Sequence, residues 1–214
     1  MITKLVKVME RLKQLLSTLN ANSSVECIKK TFSEIADILL FKSYIKTEKG
    51  NYRILEIEFY FKNNNHCDNV TIERTEDEDA GMWWLHDYGV DLSFKSKSEN
   101  LKEPEKFYGG ILIRSIIPFS ENSNQLKDEK AIYGPRKCCW YLFYSSAFES
   151  KNVPQIVMND GASRHIGEMG STTRYITRKP KKEDGDYRDS FYRFYVKGLN
   201  LKIESTYKKA SPWK

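Results

Sequence analysis

The chain has 214 residues, of which 40% are hydrophobic and 30% are charged, and its formal net charge is +6. This composition predicts one soluble globular domain with a substantial core, and the positive charge weakly favours a polyanionic partner. No apolar run approaches the roughly 20 residues that span a bilayer, and the chain does not open with a signal-peptide pattern. The four cysteines lack paired metal-ligand spacing, which is typical of reduced thiols. We therefore expect a cytoplasmic protein without a membrane partner.

Two amphipathic helices are predicted at the start of the chain. Leucines and other apolar residues recur at helical spacing over residues 5–19 and predict an N-terminal helical extension, residues 1–22. This helix is either a packing element or a dimer contact in a protein that we otherwise expect to be monomeric. Ser23 followed by Glu26 is a capping-box signature and predicts a second helix over about residues 24–41. The apolar stripe of the second helix consists of Ile28, Phe32, Ile35, Ile38 and Leu39.

The next predicted element is a strand over residues 53–60 with polar groups on one face. Because side chains alternate along a strand, its core face is predicted to hold Leu55, Ile57, Phe59 and Phe61. The other face is predicted to hold Ile54, Glu56, Glu58 and Tyr60. These polar residues form either the solvated face of an ordinary antiparallel strand or the wall of a pocket. The strand considered alone favours the solvated face.

Several shorter elements are predicted further along the chain. Residues 73–79 are acidic and predict a solvated loop, and residues 81–94 predict two strands joined by a tight turn. Gly134-Pro135 begins a helix that extends to about residue 148. Residues 153–158 predict a strand, and residues 191–205 predict a closing hairpin.

An arginine interrupts the most apolar predicted strand, residues 109–118. A buried guanidinium is costly unless an anion pairs with it, so we expect Arg114 to contact Glu58 or Glu56 on a neighbouring strand. A structural ion pair and a functional one explain this pattern equally well.

Together the elements predict an α+β fold: a curved antiparallel β-sheet or open barrel with flanking helices, including the N-terminal helix. A single domain is expected over residues 23–207, followed by a basic tail over residues 208–214. The sequence contains no glycine-rich phosphate loop, no His-Glu-x-x-His motif and no nucleophile elbow. Its three histidines are too scattered to predict a metal site.

Six segments, in their order along the chain, resemble the alkyladenine (3-methyladenine, or methylpurine) DNA glycosylases. The resemblance spans residues 31–205, and no single motif carries it. The central segments are Arg-Ile-Leu-Glu-Ile-Glu-Phe-Tyr at 53–60, followed by a histidine, and Ile-Leu-Ile-Arg-Ser-Ile-Ile-Pro at 111–118. The other segments are 32–40, 81–89 with its aromatic strand and Tyr-Gly turn, Gly-Pro-Arg-Lys at 134–137, and 192–198. The resemblance implies the α+β fold of that family and a reaction without a cofactor or metal.

The resemblance also implies catalytic roles. Glu58 stands at the position of the family's catalytic glutamate, which activates water to attack the sugar carbon. Arg114 matches the arginine that holds this glutamate and its water.

Four further residues match positions that contact the DNA or the base. Tyr60 and His66 match residues that line the pocket around a flipped base, and His86 lies near a third wall, where the family usually has a tyrosine. Tyr88 stands where the family inserts a tyrosine into the duplex in place of the extruded nucleotide.

The implied function is a DNA repair glycosylase that excises alkylated purine bases from double-stranded DNA by base flipping. Two alternatives remain. One is a catalytically inactive nucleic-acid or protein binding module on the same fold. The other is a related hydrolase that acts on free or RNA nucleosides.

Overall fold

The fold was analysed in a computed structural model. It describes residues 2–102, 104–119, 130–144, 153–159, 167–176, 179 and 181–198. The second strand of the predicted closing hairpin and the predicted basic tail at 208–214 lie outside the described residues.

The described residues form an α+β fold. Its helices are α1 (Ile2–Thr18), α2 (Val25–Phe41) and α3 (Pro135–Cys139), with a π-helical turn at Trp140–Tyr144 and a 3-10 helix at Lys182–Asp189. Its strands are β1 (Ser43–Thr47), β2 (Gly50–Lys62), β3 (Trp83–His86), β4 (Gly89–Ser93), β5 (Tyr108–Phe119), β6 (Ile132–Tyr133), β7 (Gln155–Met158), β8 (Met169–Thr172) and β9 (Arg193–Val196).

The described strands form a single antiparallel sheet that curls into a half-barrel, which confirms the predicted fold class. Its main order is β3-β4-β5-β2-β1-β7, while β6 pairs with β5, and β9 joins β2 to β8. Strand β2 is central, because β5 pairs along its length and β1 and β9 share its other edge. Strand β2 is therefore hydrogen-bonded to other strands along both of its edges.

Strand β2 does not alternate regularly. Ile54 pairs with Ile116 and Glu56 pairs with Ser115, so Leu55 is an extra residue on β2. Ile54 therefore joins Ile57, Phe59 and Phe61 in the main core, whereas Leu55 packs in a second, smaller cluster with Ile117. The predicted faces of Ile54 and Leu55 were wrong, because strict alternation cannot anticipate a β-bulge. The predicted shared face of Glu56, Glu58 and Tyr60 is unaffected.

The main core lies between the sheet and the two long helices. All five residues of the predicted α2 stripe are buried, and the Phe32 ring stacks on the Phe59 ring with 4.4 Å between centroids. The apolar side of α1 enters the same core through Leu12, Leu15, Leu16 and Leu19. The N-terminal helix was predicted to be a packing element or a dimer contact, and the burial of these four leucines within the chain agrees with a packing element.

Helix ends differ in detail from the predictions. The N-cap of α2 is Ser24, whose hydroxyl accepts a hydrogen bond from the Cys27 backbone N–H, rather than Ser23. The helix predicted from Pro135 to about residue 148 is α-helical over Pro135–Cys139 and continues as the π-helical turn Trp140–Tyr144, and residues 145–148 lie outside the described residues. Within the described residues, no helix has both the length and the apolar character needed to cross a membrane.

Candidate functional site

A cavity of about 650 Å³ opens on the face of the sheet opposite the main core. This volume lies within the usual range of small-molecule sites. The cavity is bounded by β2, β4 and β5, the β3–β4 turn, the start of α3 and the segment that follows β8. Much of its wall is aromatic or aliphatic, including Tyr60, Leu112, Tyr133, Tyr175 and Ile176.

Glu58 lies fully buried beneath this cavity, near the middle of β2. Its Oε2 accepts hydrogen bonds from Arg114 Nη1 at 3.0 Å and from the Tyr60 hydroxyl at 2.8 Å. Its Oε1 accepts a hydrogen bond from the Tyr175 backbone N–H at 2.6 Å, and Arg193 Nε lies 3.7 Å from the same oxygen. A carboxylate has about four acceptor sites, so these three hydrogen bonds fix its orientation and leave about one site for a further donor.

Arg114 lines the cavity and contacts both predicted partners. Besides its bond to Glu58, its Nε lies 3.5 Å from Oε1 of Glu56. Burial acts to lower the pKa of Arg114, but the charges of Glu58 and Glu56 outweigh burial and raise it. Glu56 also bonds Arg193 and accepts from the Ser115 hydroxyl at 2.6 Å. The predicted ion pair is therefore present within a buried cluster of two carboxylates and two guanidiniums.

A second β-bulge, on strand β5, places Arg114 in this cluster. Glu56 pairs with Ser115 and Ile57 pairs with Ile113, so Arg114 is an extra residue on β5. β-Bulges of this kind change the direction of a side chain and occur often beside active sites. The extra residue on β5 compensates for the one on β2, and regular pairing resumes at Ile57.

Tyr60 joins the carboxylate to the cavity wall. Its hydroxyl donates to Glu58, and its ring lies 4.7 Å from the guanidinium carbon of Arg174. Burial and the nearby Glu58 charge raise the pKa of Tyr60 well above its ordinary value. Tyr60 therefore remains a neutral hydrogen-bond donor to Glu58 at physiological pH.

His66 does not line the cavity, contrary to the role implied by the resemblance. It is fully buried, with Nδ1 2.8 Å from the Phe61 carbonyl and Nε2 2.8 Å from the Tyr192 hydroxyl. Because a carbonyl only accepts, Nδ1 is the donor and Nε2 accepts from Tyr192. Burial lowers the pKa of His66.

The separation of His66 from the cavity has a physical cause. Arg174 lies 4.7 Å from the Tyr60 ring and 5.4 Å from the Tyr192 ring, and Tyr192 is the residue that bonds His66. The guanidinium of Arg174 forms a fully buried ion pair with Asp68 at 2.6 Å. Arg174 therefore contacts the ring of the cavity residue Tyr60, whereas His66 bonds Tyr192, the other ring that Arg174 contacts.

His86 and Tyr88 lie on the β3–β4 hairpin, at the edge of the cavity, and both line it. The His86 ring stacks on Trp84 with 4.4 Å between centroids, and its Nδ1 accepts from the Tyr88 backbone N–H at 3.3 Å. Tyr88 is in the two-residue turn between His86 and Gly89 and is 58% exposed. The hairpin therefore presents a large aromatic side chain to solvent beside the cavity.

The start of α3 braces this turn. Arg136 Nε donates to the Asp87 carbonyl at 2.7 Å. A Cβ at Gly89 would lie only 2.8 Å from the Cβ of Pro135, so glycine permits this close approach. Arg136 and Lys137 are exposed and also line the cavity, which gives its rim a positive charge.

Sequence reasoning missed Asp91 and Arg74, which line the wall on the β4 side of the cavity. Asp91 Oδ2 accepts from Arg74 Nη2 at 3.1 Å, and Oδ1 accepts from His86 Nε2 at 3.1 Å. Arg74 also bonds Glu78 at 3.1 Å and lies 3.2 Å from the centre of the Trp84 ring. The prediction that residues 73–79 form a solvated loop is wrong for Arg74, which is buried by these contacts. The sequence contained two signals for this pair. Arg74 is an arginine within an acidic segment, and Asp91 is a single aspartate within an apolar strand.

The fold and the site define an α+β protein with a buried carboxylate–guanidinium cluster beneath an aromatic cavity. No protein-family model matches the chain. The chain is similar to the uncharacterized protein L759 of Acanthamoeba polyphaga mimivirus, with 28% identity over 120 residues. The match covers 49% of this chain and 52% of that protein, so the chain spans about half the length of this relative.

Proposed function

We propose that the protein is an N-glycosidic hydrolase that excises alkylated purine bases from double-stranded DNA. One observation carries the proposal: Glu58 and Arg114 meet beneath a cavity lined by tyrosines. A carboxylate held in one orientation below a base-sized aromatic cavity suits a general base that activates water. The exposed Tyr88 beside the cavity and the resemblance of six ordered segments point to the same reaction class.

In the proposed reaction, a water molecule donates a hydrogen bond to the remaining acceptor site of Glu58. The water oxygen attacks C1′ of the extruded nucleotide as Glu58 takes up its proton. The C1′–N bond breaks, and its electron pair leaves with the base. Alkylation of a purine ring nitrogen makes the attached base cationic, so it departs as a neutral molecule. Arg114 and the Tyr175 backbone N–H keep Glu58 oriented throughout.

Extrusion of the nucleotide requires contacts outside the cavity. Unstacking and unpairing a base costs about a few kcal/mol, which an inserted side chain offsets. Tyr88 is exposed in the β3–β4 turn, which Arg136 holds in place, and it is the side chain that we propose to insert into the duplex. Arg136 and Lys137 on the rim are placed to contact phosphates, which favours DNA over free nucleosides. The four cysteines are free thiols, which suits the cytoplasmic location that we propose.

Release of methylated bases from duplex DNA under single-turnover conditions tests the proposal. We expect release by the wild-type protein and a loss of at least about 100-fold in Glu58→Gln, because a positioned general base contributes about that much or more. Glu56→Gln is the matched control, since Glu56 is a buried carboxylate on the same strand face. Absence of release by the wild type, or equal rates in wild type and Glu58→Gln, would contradict the proposal.

A second candidate is a binding module on the same fold that does not carry out the chemistry. It is favoured by the full burial of Glu58, which does not itself line the cavity. This candidate predicts salt-sensitive binding of duplex DNA that Tyr88→Ala weakens, without base release at any salt concentration. Filter binding and the release assay on the same preparation separate the two functions.

A further inference from the structure

The cluster around Asp91 forms a second polar region of the cavity, which the proposed reaction does not use. Asp91 is 5% exposed and is held by Arg74 on one oxygen and by His86 on the other. Each oxygen of a carboxylate accepts about two hydrogen bonds, so each keeps one acceptor site. Arg74 Nη1 is buried and has no hydrogen-bond partner among the described residues. Two acceptor sites on Asp91 and one donor nitrogen on Arg74, with its two N–H groups, therefore remain in this cluster.

The sheet fixes the position of Asp91 relative to Glu58. Leu112 of β5 pairs with Glu58 on one side and with Asp91 on the other. Directly paired residues in an antiparallel sheet project from the same face, so Glu58, Leu112 and Asp91 form one row on the cavity face. Neighbouring strands are about 4.8 Å apart, so the backbones at Glu58 and Asp91 are separated by about 10 Å. The apolar side chain of Leu112 lies between the two carboxylates.

Gly110 makes this arrangement sterically possible. A Cβ at Gly110 would lie 2.7 Å from Asp91 Oδ2 and 2.9 Å from Arg74 Nη2. Any side chain there would displace the Asp91–Arg74 pair, so the glycine leaves space for this cluster at the cavity wall.

We infer that Asp91 determines base specificity and selects guanine-type over adenine-type bases. The inference rests on the proposed function, which places the glycosidic bond above Glu58 and hence the opposite edge of the purine towards Asp91. The guanine edge carries two adjacent donors, N1–H and the 2-amino group, which match the two oxygens of one carboxylate. The adenine edge places the N1 lone pair beside its 6-amino group, so one contact with Asp91 is repulsive. The guanine O6 is adjacent to N1–H and is a suitable acceptor for Arg74 Nη1.

Binding of free base analogues tests this inference without requiring catalysis. The probes are 9-methylguanine and 9-methyladenine, in which a methyl group replaces the sugar, and binding is measured by isothermal titration calorimetry with the full chain. A bidentate contact discriminates between bases by about 10- to 100-fold, so we expect wild type to bind 9-methylguanine tighter by this factor. Asp91→Asn is expected to reduce the ratio to less than about threefold. Asp87→Asn, which removes an exposed carboxylate from the same hairpin, is expected to preserve it.

A third ligand keeps the test valid if Asp91→Asn does not fold. 1,9-Dimethylguanine lacks the N1–H donor, and the wild-type protein is expected to bind it at least about tenfold more weakly than 9-methylguanine. Equal binding of these two guanines, tighter binding of 9-methyladenine, or no binding of either base at millimolar concentration would overturn the inference. Base release without guanine preference would overturn the inference and leave the proposed function intact. Guanine preference without base release would overturn the proposed function and leave the assignment of Asp91 intact.

Discussion

Replacing Arg114 with methionine should destabilise the protein strongly. Arg114 is one of two guanidiniums that contact both Glu58 and Glu56, whose side chains are almost completely buried. Methionine fills a similar apolar volume but leaves Arg193 as the only cation within this cluster of two carboxylates. The variant therefore carries one uncompensated charge in a region of low solvent access.

The size of the effect follows from the contacts that remain. Breaking one partner from a buried ion pair costs about 3–5 kcal/mol of unfolding free energy. Glu58 keeps the hydrogen bonds from Tyr60 and Tyr175, so we expect the lower end, about 3 kcal/mol. For a chain of this length, that loss lowers the melting temperature by roughly 6–12 °C. The double variant Arg114→Met/Glu58→Gln removes the excess charge and should cost less than Arg114→Met alone.

Urea unfolding, followed by tryptophan fluorescence and far-UV circular dichroism, measures these free energies. Arg11→Met is the matched control, because Arg11 pairs with Glu34 at 2.6 Å on the surface, with both side chains at least one-third exposed. An exposed pair contributes about 0–1 kcal/mol, so the control should remain close to wild type. The reasoning is refuted if Arg114→Met costs less than about 1 kcal/mol, or if the double variant costs as much as the sum of the single variants.

Three further predictions follow from other parts of the structure. Gly89→Ala should lower the unfolding free energy by about 1–3 kcal/mol, because its Cβ would overlap Pro135, and urea unfolding tests this. A thiol reagent should modify the exposed Cys67 in the native protein but Cys138 only after unfolding, because Cys138 is buried and burial raises its pKa; equal rates would contradict this. Burial lowers the pKa of His66, so the unfolded chain binds a proton more readily and stability should fall as pH drops below about 6.5. His66→Gln should flatten that dependence in urea titrations from pH 5 to 8.

The contact between Arg114 and Glu58 could be predicted because one physical requirement determines it. An arginine among aliphatic residues needs a buried anion, and the adjacent strand offered only two carboxylates at a suitable place. The burial of the α2 stripe was predictable for a similar reason, since helical periodicity alone specifies which side faces the core. Predictions of this kind depend on local pattern and on the cost of unpaired charge.

The bulges at Leu55 and Arg114 and the wall containing Asp91 could not be predicted in the same way. A bulge depends on the register between two strands that are distant in sequence, and neither strand shows the extra residue on its own. The Asp91 cluster joins β4 to a loop residue, Arg74, whose acidic neighbours predicted solvent exposure. The position of His66 outside the cavity could not be predicted either, because the buried Arg174–Asp68 pair beside Tyr60 joins residues that are more than 100 positions apart in sequence.

The enclosure of Glu58 fits both a catalytic and a structural role for this carboxylate, and the two roles predict different results for base release by Glu58→Gln. Three hydrogen bonds fix the carboxylate and leave about one acceptor site, and a general base needs one defined site for the water that it deprotonates. The same network would also stabilise a carboxylate whose role is only structural. A structural role predicts that Glu58→Gln loses activity only in proportion to its unfolded fraction. A catalytic role predicts a rate loss of about 100-fold or more at temperatures where the variant is fully folded. Rate and stability measured together on Glu58→Gln therefore separate the two roles.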